Sequence, residues 1–141
     1  CGIGELTDEL ACLIHELHLE KKVKLLGYRL DAKEVMRASD IFVFPSYQEG
    51  LPVALMEAMA CGLPCIASRI RGNVDLIDEE KGGLFFTPND IQKLKEQMVT
   101  LANTPEKRAQ WGMYNQCRIK EFDIDNVRAI MRREYSELLN N

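Results

Sequence analysis

The stretch Ile41–Glu57, IFVFPSYQEGLPVALME, decides the fold. Its first five residues, Ile41–Pro45, are an unbroken apolar run of strand length, the kind a parallel sheet buries on both faces. Turn residues follow, and a helical pattern then runs from about Leu51 to Cys61. Pro52 sits in its first turn and Gly62 just past its end. A strand feeding directly into a helix is the repeating unit of a doubly wound sheet. Glu57 is the only charged residue between Gly50 and Ser68, and Glu49 stands immediately before that run. Carboxylates are costly to bury without partners, so two acids framing a helix N-terminus at a strand's carboxyl end mark a site.

Outward from this segment the alternation continues. Upstream, Leu6, Leu10, Leu13, Ile14 and Leu17 give residues 5–18 a helical stripe, Val23–Tyr28 reads as a strand, and Asp31 is placed to cap a helix over Ala32–Ala38. Downstream, strands are expected at Pro64–Ser68 and Leu84–Phe86, separated by the turn Arg71-Gly72-Asn73 and a short helix near Val74–Ile77. Three helices complete the chain. The first runs from Ile91 to Asn103 with Ile91, Leu94, Met98 and Leu101 on one face, and the second from Pro105 to Lys120. The third covers 124–139, with Val127, Ile130, Met131, Tyr135 and Leu138 as its stripe. Strands alternating with helices predict a parallel, Rossmann-like doubly wound sheet with helices on both faces.

Composition removes several classes. The 141 residues are enough for one domain with a core, and 46% hydrophobic with 28% charged is ordinary for a globular protein. A net charge of -4 argues against a nucleic-acid partner. No apolar run approaches the ~20 residues that span a bilayer. Five scattered cysteines, Cys1, Cys12, Cys61, Cys65 and Cys117, form no disulfide framework and read as reduced thiols of a cytoplasmic protein; Cys61 and Cys65 lack a nearby His, and no metal site is expected. His15 and His18, Trp111 and Tyr114, the pairs Lys21-Lys22 and Arg132-Arg133, and the turn Gly82-Gly83 read as surface or packing features.

The chemistry of Glu49–Glu57 is that of a sugar-phosphate site. Free N–H groups and the positive end of a helix dipole favour a diphosphate, and Gly50 lets a ligand approach the backbone. An ionised Glu49 accepts hydroxyl hydrogens, and Glu57, on the face of Val53 rather than that of Leu55 and Met59, is placed to chelate two adjacent hydroxyls. The competing reading makes Glu49 a solvated loop acid and Glu57 a salt-bridged helix residue, and pattern alone leaves both open.

E-G-x-P-x-x-x-x-E at Glu49–Glu57, preceded by DIFVFPS at Asp40–Ser46 and followed by AMACGLPCIAS at Ala58–Ser68, resembles the nucleotide-sugar site of the retaining GT-B glycosyltransferases, family 4. Val23–Tyr28 and Leu84–Asp90 are similar to flanking segments of that family, and Ile70–Ile77, IRGNVDLI, resembles a variant found in bacterial exopolysaccharide and capsule enzymes. The resemblance implies that Glu49, the catalytic-centre acid, contacts donor-sugar hydroxyls. It further implies that Gly50, Leu51 and Pro52 line the sugar and diphosphate, that Glu57 holds the ribose, and that Tyr28 and Arg29 sit beside the base. It implies a nucleotide-diphospho-sugar, with UDP the commonest form, as substrate, with neither cofactor nor metal, and a saccharide or lipid-linked acceptor.

The same resemblance makes residues 1–141 one donor-binding domain, truncated at its start, with the acceptor domain and the diphosphate-binding Arg and Lys outside it. Such a fragment alone is expected not to transfer sugar. The helix over 124–139 is then expected to expose an apolar face, open to self-association, and the complete enzyme to lie in the cytoplasm with peripheral contact at the inner face of the membrane. Two rival classes remain: a GT-B-like sugar-nucleotide epimerase and a non-catalytic sugar-nucleotide binding module.

Overall fold

The computed structural model describes residues 2–139, so Cys1 lies outside the described residues. The chain divides into two compact units, Cys1–Val35 and Met36–Asn141. In the larger unit three parallel strands, β1 (Phe42–Phe44), β2 (Cys65–Ser68) and β3 (Gly83–Phe86), lie in the order β1-β2-β3. Phe42 pairs with Cys65 and Phe44 with Ala67, then Cys65 with Gly83 and Ser68 with Phe86. Each crossover carries a helix, α3 (Val53–Ala60) after β1 and α4 (Asn73–Leu76) after β2.

Alternation along the strands feeds two cores. Phe42, Phe44, Cys65, Ala67 and Phe85 pack with Leu55, Ala58 and Met59 of α3 and Leu76 of α4. On the opposite face Val43, Ile66, Leu84 and Phe86 pack with residues of α5 (Ile91–Ala102) and α6 (Pro105–Arg118), among them Leu101 and Trp111. Helices therefore cover both faces of a parallel sheet, which is the Rossmann-like arrangement. Asn115 of α6, wholly buried, donates to Leu63 O at 2.7 Å and Gly82 O at 2.8 Å, pinning the helix to the chain entering β2 and β3.

Three expectations need correction. Val23–Tyr28 has no regular secondary structure, with Gly27 at φ 60°, and joins no ladder among the described residues; a strand exists only where a neighbour takes up its backbone groups. The helix expected from Leu51 begins at Val53, because Pro52 keeps an extended backbone (φ -76°, ψ 107°) and becomes its N-cap. On α5 the buried position falls to Gln97 rather than Met98, since Gln97 Nε2 donates to Phe85 O at 2.7 Å while Met98 is 44% exposed. At the start of α2 (Ala32–Arg37) the Asp31 carbonyl accepts from Glu34 N–H and Val35 N–H, and its carboxylate takes a two-pronged pair from Arg29.

In the smaller unit α1 (Thr7–Glu16) buries no residue, although Leu10 and the preceding Leu6 line a cavity of about 370 Å³ with Leu25 and Leu26. A segment of this size is too small to close a core of its own. The final helix, α7 (Ile124–Leu139), also buries none of its residues and leaves Ile130 and Leu138 more than half exposed, as expected. It meets a 3-10 turn at Ile119–Phe122. No helix among the described residues is long and apolar enough to cross a membrane.

Candidate functional site

Parallel strands deliver their following loops to one edge of the sheet. Here those loops are 45–52 after β1, 69–72 after β2 and 87–90 after β3. Tyr47 of the first donates its hydroxyl hydrogen to Asn89 Oδ1 of the third at 2.7 Å.

Glu49 is half-buried in the first loop, and its carboxylate is held. Ser46 Oγ donates to Glu49 Oε1 at 2.7 Å. The Ser46 carbonyl accepts from the buried Ser68 hydroxyl at the end of β2, and Asn73 Nδ2 donates to Ser68 O at 2.9 Å and Ser68 Oγ at 3.3 Å. Gly72 closes the arrangement from the other side. Arg71-Gly72-Asn73 makes a three-residue turn, with Asn73 N–H on Arg71 O at 2.5 Å and Gly72 at φ 72°, ψ -51°. A Cβ on Gly72 would stand 2.4 Å from Gly50 O and 3.1 Å from Glu49 O, so only glycine lets this turn support the Glu49-Gly50 peptide.

The N-terminus of α3 opens beside this loop. Leu55 N–H and Met56 N–H bond to Pro52 O, while the first-turn amides of Val53 and Ala54 precede any intrahelical acceptor. No side chain caps the helix and no acid lies in its first turn, which leaves its positive end unneutralised. Leu51, just before the cap, is 52% exposed, and a Cβ on Gly50 would meet nothing within 4 Å. Glu57, one turn after Val53, shares its exposed face. Among the described residues no hydrogen bond or ion pair occupies its carboxylate. The salt-bridged, structural reading of Glu57 therefore has no support.

Glu49, Gly50, Leu51, Pro52 and Glu57 thus belong to one loop-and-helix segment of the larger unit, whereas Tyr28 and Arg29 belong to the smaller one. Tyr28 is 71% exposed. Hydrogen bonding to Arg29 holds the Asp31 carboxyl below its ordinary range and raises the Arg29 guanidinium in turn. That fork of donors is already engaged. His15 stands 4.0 Å from Glu20 on the surface, and Trp111 is core. Cys12, Cys61, Cys65 and Cys117 are free thiols, and burial pushes that of Cys65 strongly up. Ser46, Ser68 and Asn73 escaped the sequence reading, although Ser46 and Ser68 each end an apolar strand run and Asn73 follows a turn glycine.

The family model for "Glycosyl transferases group 1" matches residues 1–118. The chain is 40% identical over 103 residues to an Escherichia coli UDP-Gal:alpha-D-GlcNAc-diphosphoundecaprenol alpha-1,3-galactosyltransferase, covering 72% of this chain and 27% of that protein. It is 33% identical over 106 residues to a Campylobacter jejuni N,N'-diacetylbacillosaminyl-diphospho-undecaprenol alpha-1,3-N-acetylgalactosaminyltransferase, covering 75% and 28%. Among solved structures, Anabaena Alr3699/HepE in complex with UDP superposes with a TM-score of 0.87 at 28% identity, over 96% of this chain and 39% of that one. The chain spans about a quarter of the length of these two curated relatives. Those relatives are transferases, and neither the epimerase nor the binding-module reading draws support from them. By sequence and by fold, this chain belongs to the group 1 glycosyl transferases of GT-B architecture, family 4-like.

Proposed function

We propose that these residues form the donor-binding part of a retaining glycosyltransferase that moves a sugar from a UDP-sugar to a saccharide or lipid-linked acceptor in bacterial polysaccharide assembly. The observation that carries the proposal is the exposed, unpartnered Glu57 carboxylate on an otherwise apolar helix whose N-terminus is uncapped. Water satisfies such a carboxylate in the free protein, and a ribose diol is suited to replace it: two adjacent hydroxyls donate to one carboxylate. The named relatives act on diphosphoundecaprenol-linked sugars, and the Anabaena structure holds UDP, which supports this substrate class.

In this reading the diphosphate lies against the Val53 and Ala54 amides, and the Leu51 amide adds a donor before Pro52, which has none. Charge grows on the departing diphosphate as the glycosidic bond breaks, so a fixed positive helix end stabilises the transition state more than the ground state. Glu49 receives sugar hydroxyls and fixes the ring, while Gly50 leaves room for it. The acceptor attacks from the face the diphosphate leaves, which retains configuration without an enzyme nucleophile. The complete enzyme works in the cytoplasm against the inner membrane face, where a lipid-linked acceptor is presented. A chain spanning about a quarter of its relatives' length is expected to turn over poorly by itself.

Calorimetric titration of the complete protein with UDP, UDP-glucose and GDP-glucose tests this. Glu57→Ala is expected to weaken UDP binding roughly tenfold or more, by loss of hydrogen bonds to a charged acceptor, while leaving the melting temperature unchanged. Unaltered UDP affinity in that variant would remove the ribose assignment.

A further inference from the structure

Glu49 does not stand alone: three residues, from three separate segments, set the direction of its carboxylate. A glutamate's terminal torsion is broad and two-fold, so an unrestrained Glu49 would present its oxygens over a wide arc. The single Ser46 hydroxyl hydrogen removes that freedom by bonding Oε1 at 2.7 Å, which leaves Oε2 and the remaining lone pairs to a ligand. Ser46 is itself held through its carbonyl by the Ser68 hydroxyl, a bond made from a side chain with no exposed surface. Asn73, also fully buried, sets Ser68 by donating to both its carbonyl and its hydroxyl. Because Asn73 donates to Ser68 Oγ, that oxygen accepts there and turns its own hydrogen toward Ser46 O. The chain of donors therefore has one direction, Asn73 to Ser68 to Ser46 to Glu49. Asn73 Oδ1 is buried without a partner, so this amide is oriented by what it donates alone.

We infer that Ser46, Ser68 and Asn73 are positioning residues that aim the Glu49 carboxylate and so set which hydroxyl pattern of the transferred sugar the site accepts. The inference rests on the donor-site reading above and deepens it. It separates two jobs within one segment: the α3 amides and Glu57 recognise the nucleoside diphosphate, while the line ending at Glu49 reads the sugar. Ser46 is the cleanest place to test it. Its hydroxyl contacts Glu49 and, at 3.4 Å, Gln48 O, while the bond from Ser68 goes to its backbone and survives loss of the side chain.

The experiment uses the complete protein and its Ser46→Ala and Ser46→Thr variants. Turnover is measured with UDP-glucose and UDP-galactose, which differ in one hydroxyl's configuration, and UDP is titrated as a competitive inhibitor. Ser46→Ala is expected to lower kcat/KM for the preferred donor roughly tenfold, to move the ratio between the two donors toward one, and to leave UDP inhibition within about twofold. Ser46→Thr, which keeps the hydroxyl, is expected to restore both rate and ratio. If Ser46→Ala weakens UDP as much as it weakens the UDP-sugars, the residue merely holds the loop and the inference is overturned. An unchanged donor ratio in an active Ser46→Ala enzyme overturns it too, while the donor-site reading stands. A wild-type protein that binds neither UDP nor a UDP-sugar overturns that reading, and this inference with it.

Discussion

Replacing Gly72 with alanine strikes the point where the fold and the site share an atom contact. At φ 72° and ψ -51° an L-residue sits in a sparsely populated region that costs about 1–3 kcal/mol. The new Cβ would also stand 2.4 Å from Gly50 O, so that oxygen must withdraw by about 1 Å before contact becomes ordinary. Overpacking against backbone adds about 1–3 kcal/mol, for a total of about 2–6 kcal/mol, a large part of the ~5–15 kcal/mol that holds a typical domain together. If the peptide moves instead, Glu49 and Gly50 shift by ~1 Å at the sugar, a misplacement worth roughly a hundredfold in kcat/KM. The assay is urea unfolding with steady-state turnover of the complete protein, with the neighbouring Val74→Ala, at a 41% exposed position, as control. Gly72→Ala within about 0.5 kcal/mol of wild type and about twofold of its kcat/KM would refute the reasoning.

Other consequences follow from single contacts. Asn115→Ala takes the amide donor from Leu63 O and one of two donors from Gly82 O, which keeps Cys65 N–H at 3.1 Å, and should cost about 1–3 kcal/mol by urea unfolding; a loss below ~0.5 kcal/mol would show that water or relaxation replaces the bond to Leu63 O. Tyr114 donates to Asp78, which raises its phenol above the ordinary value of 10.0. A raised folded value means that the stabilisation is complete below the unfolded pKa and disappears as pH rises through the folded one. Unfolding midpoints from pH 8 to 11 should therefore fall more steeply for wild type than for Tyr114→Phe above about pH 10, and parallel curves would count against the bond. Ile130→Lys on α7 should change stability by no more than about 0.5 kcal/mol and weaken any self-association seen by sedimentation; a loss beyond ~1.5 kcal/mol would mean that this face is packed.

The parts of the fold legible in the sequence were those with a local signature. β1, β2 and β3 announced themselves as apolar runs bounded by turn residues, and Glu57 stood out because its neighbours were uncharged. Errors arose where a tertiary partner decides. Val23–Tyr28 has strand composition, yet a ladder needs a neighbour that composition cannot supply. Gln97 displaced Met98 from the buried face of α5 because a free carbonyl at Phe85 outweighs a thioether's preference for burial. Pro52 looked like a first-turn proline, but its extended ψ moved the helix start, and with it the open amides, two residues on. The acids and the glycine of the candidate site stand out in the sequence by their spacing. The line that aims Glu49 was not, because Ser68 reaches Ser46 across 22 residues and neither serine has a distinctive neighbourhood in sequence.

Asn115 also constrains the order in which the chain acquires its structure. It reaches back 52 residues to Leu63 and 33 to Gly82, so Leu63 O finds its amide donor, and Gly82 O a second donor beside Cys65 N–H, only once α6 exists. During synthesis Leu63 O emerges first and must wait, hydrated, at ~5–20 residues per second until residue 115 clears the ribosome. Closing those long loops is slow relative to local helix formation. A nascent chain halted in α5 should therefore remain protease-sensitive along β2 and β3, and one extended through α6 should become resistant in a single step.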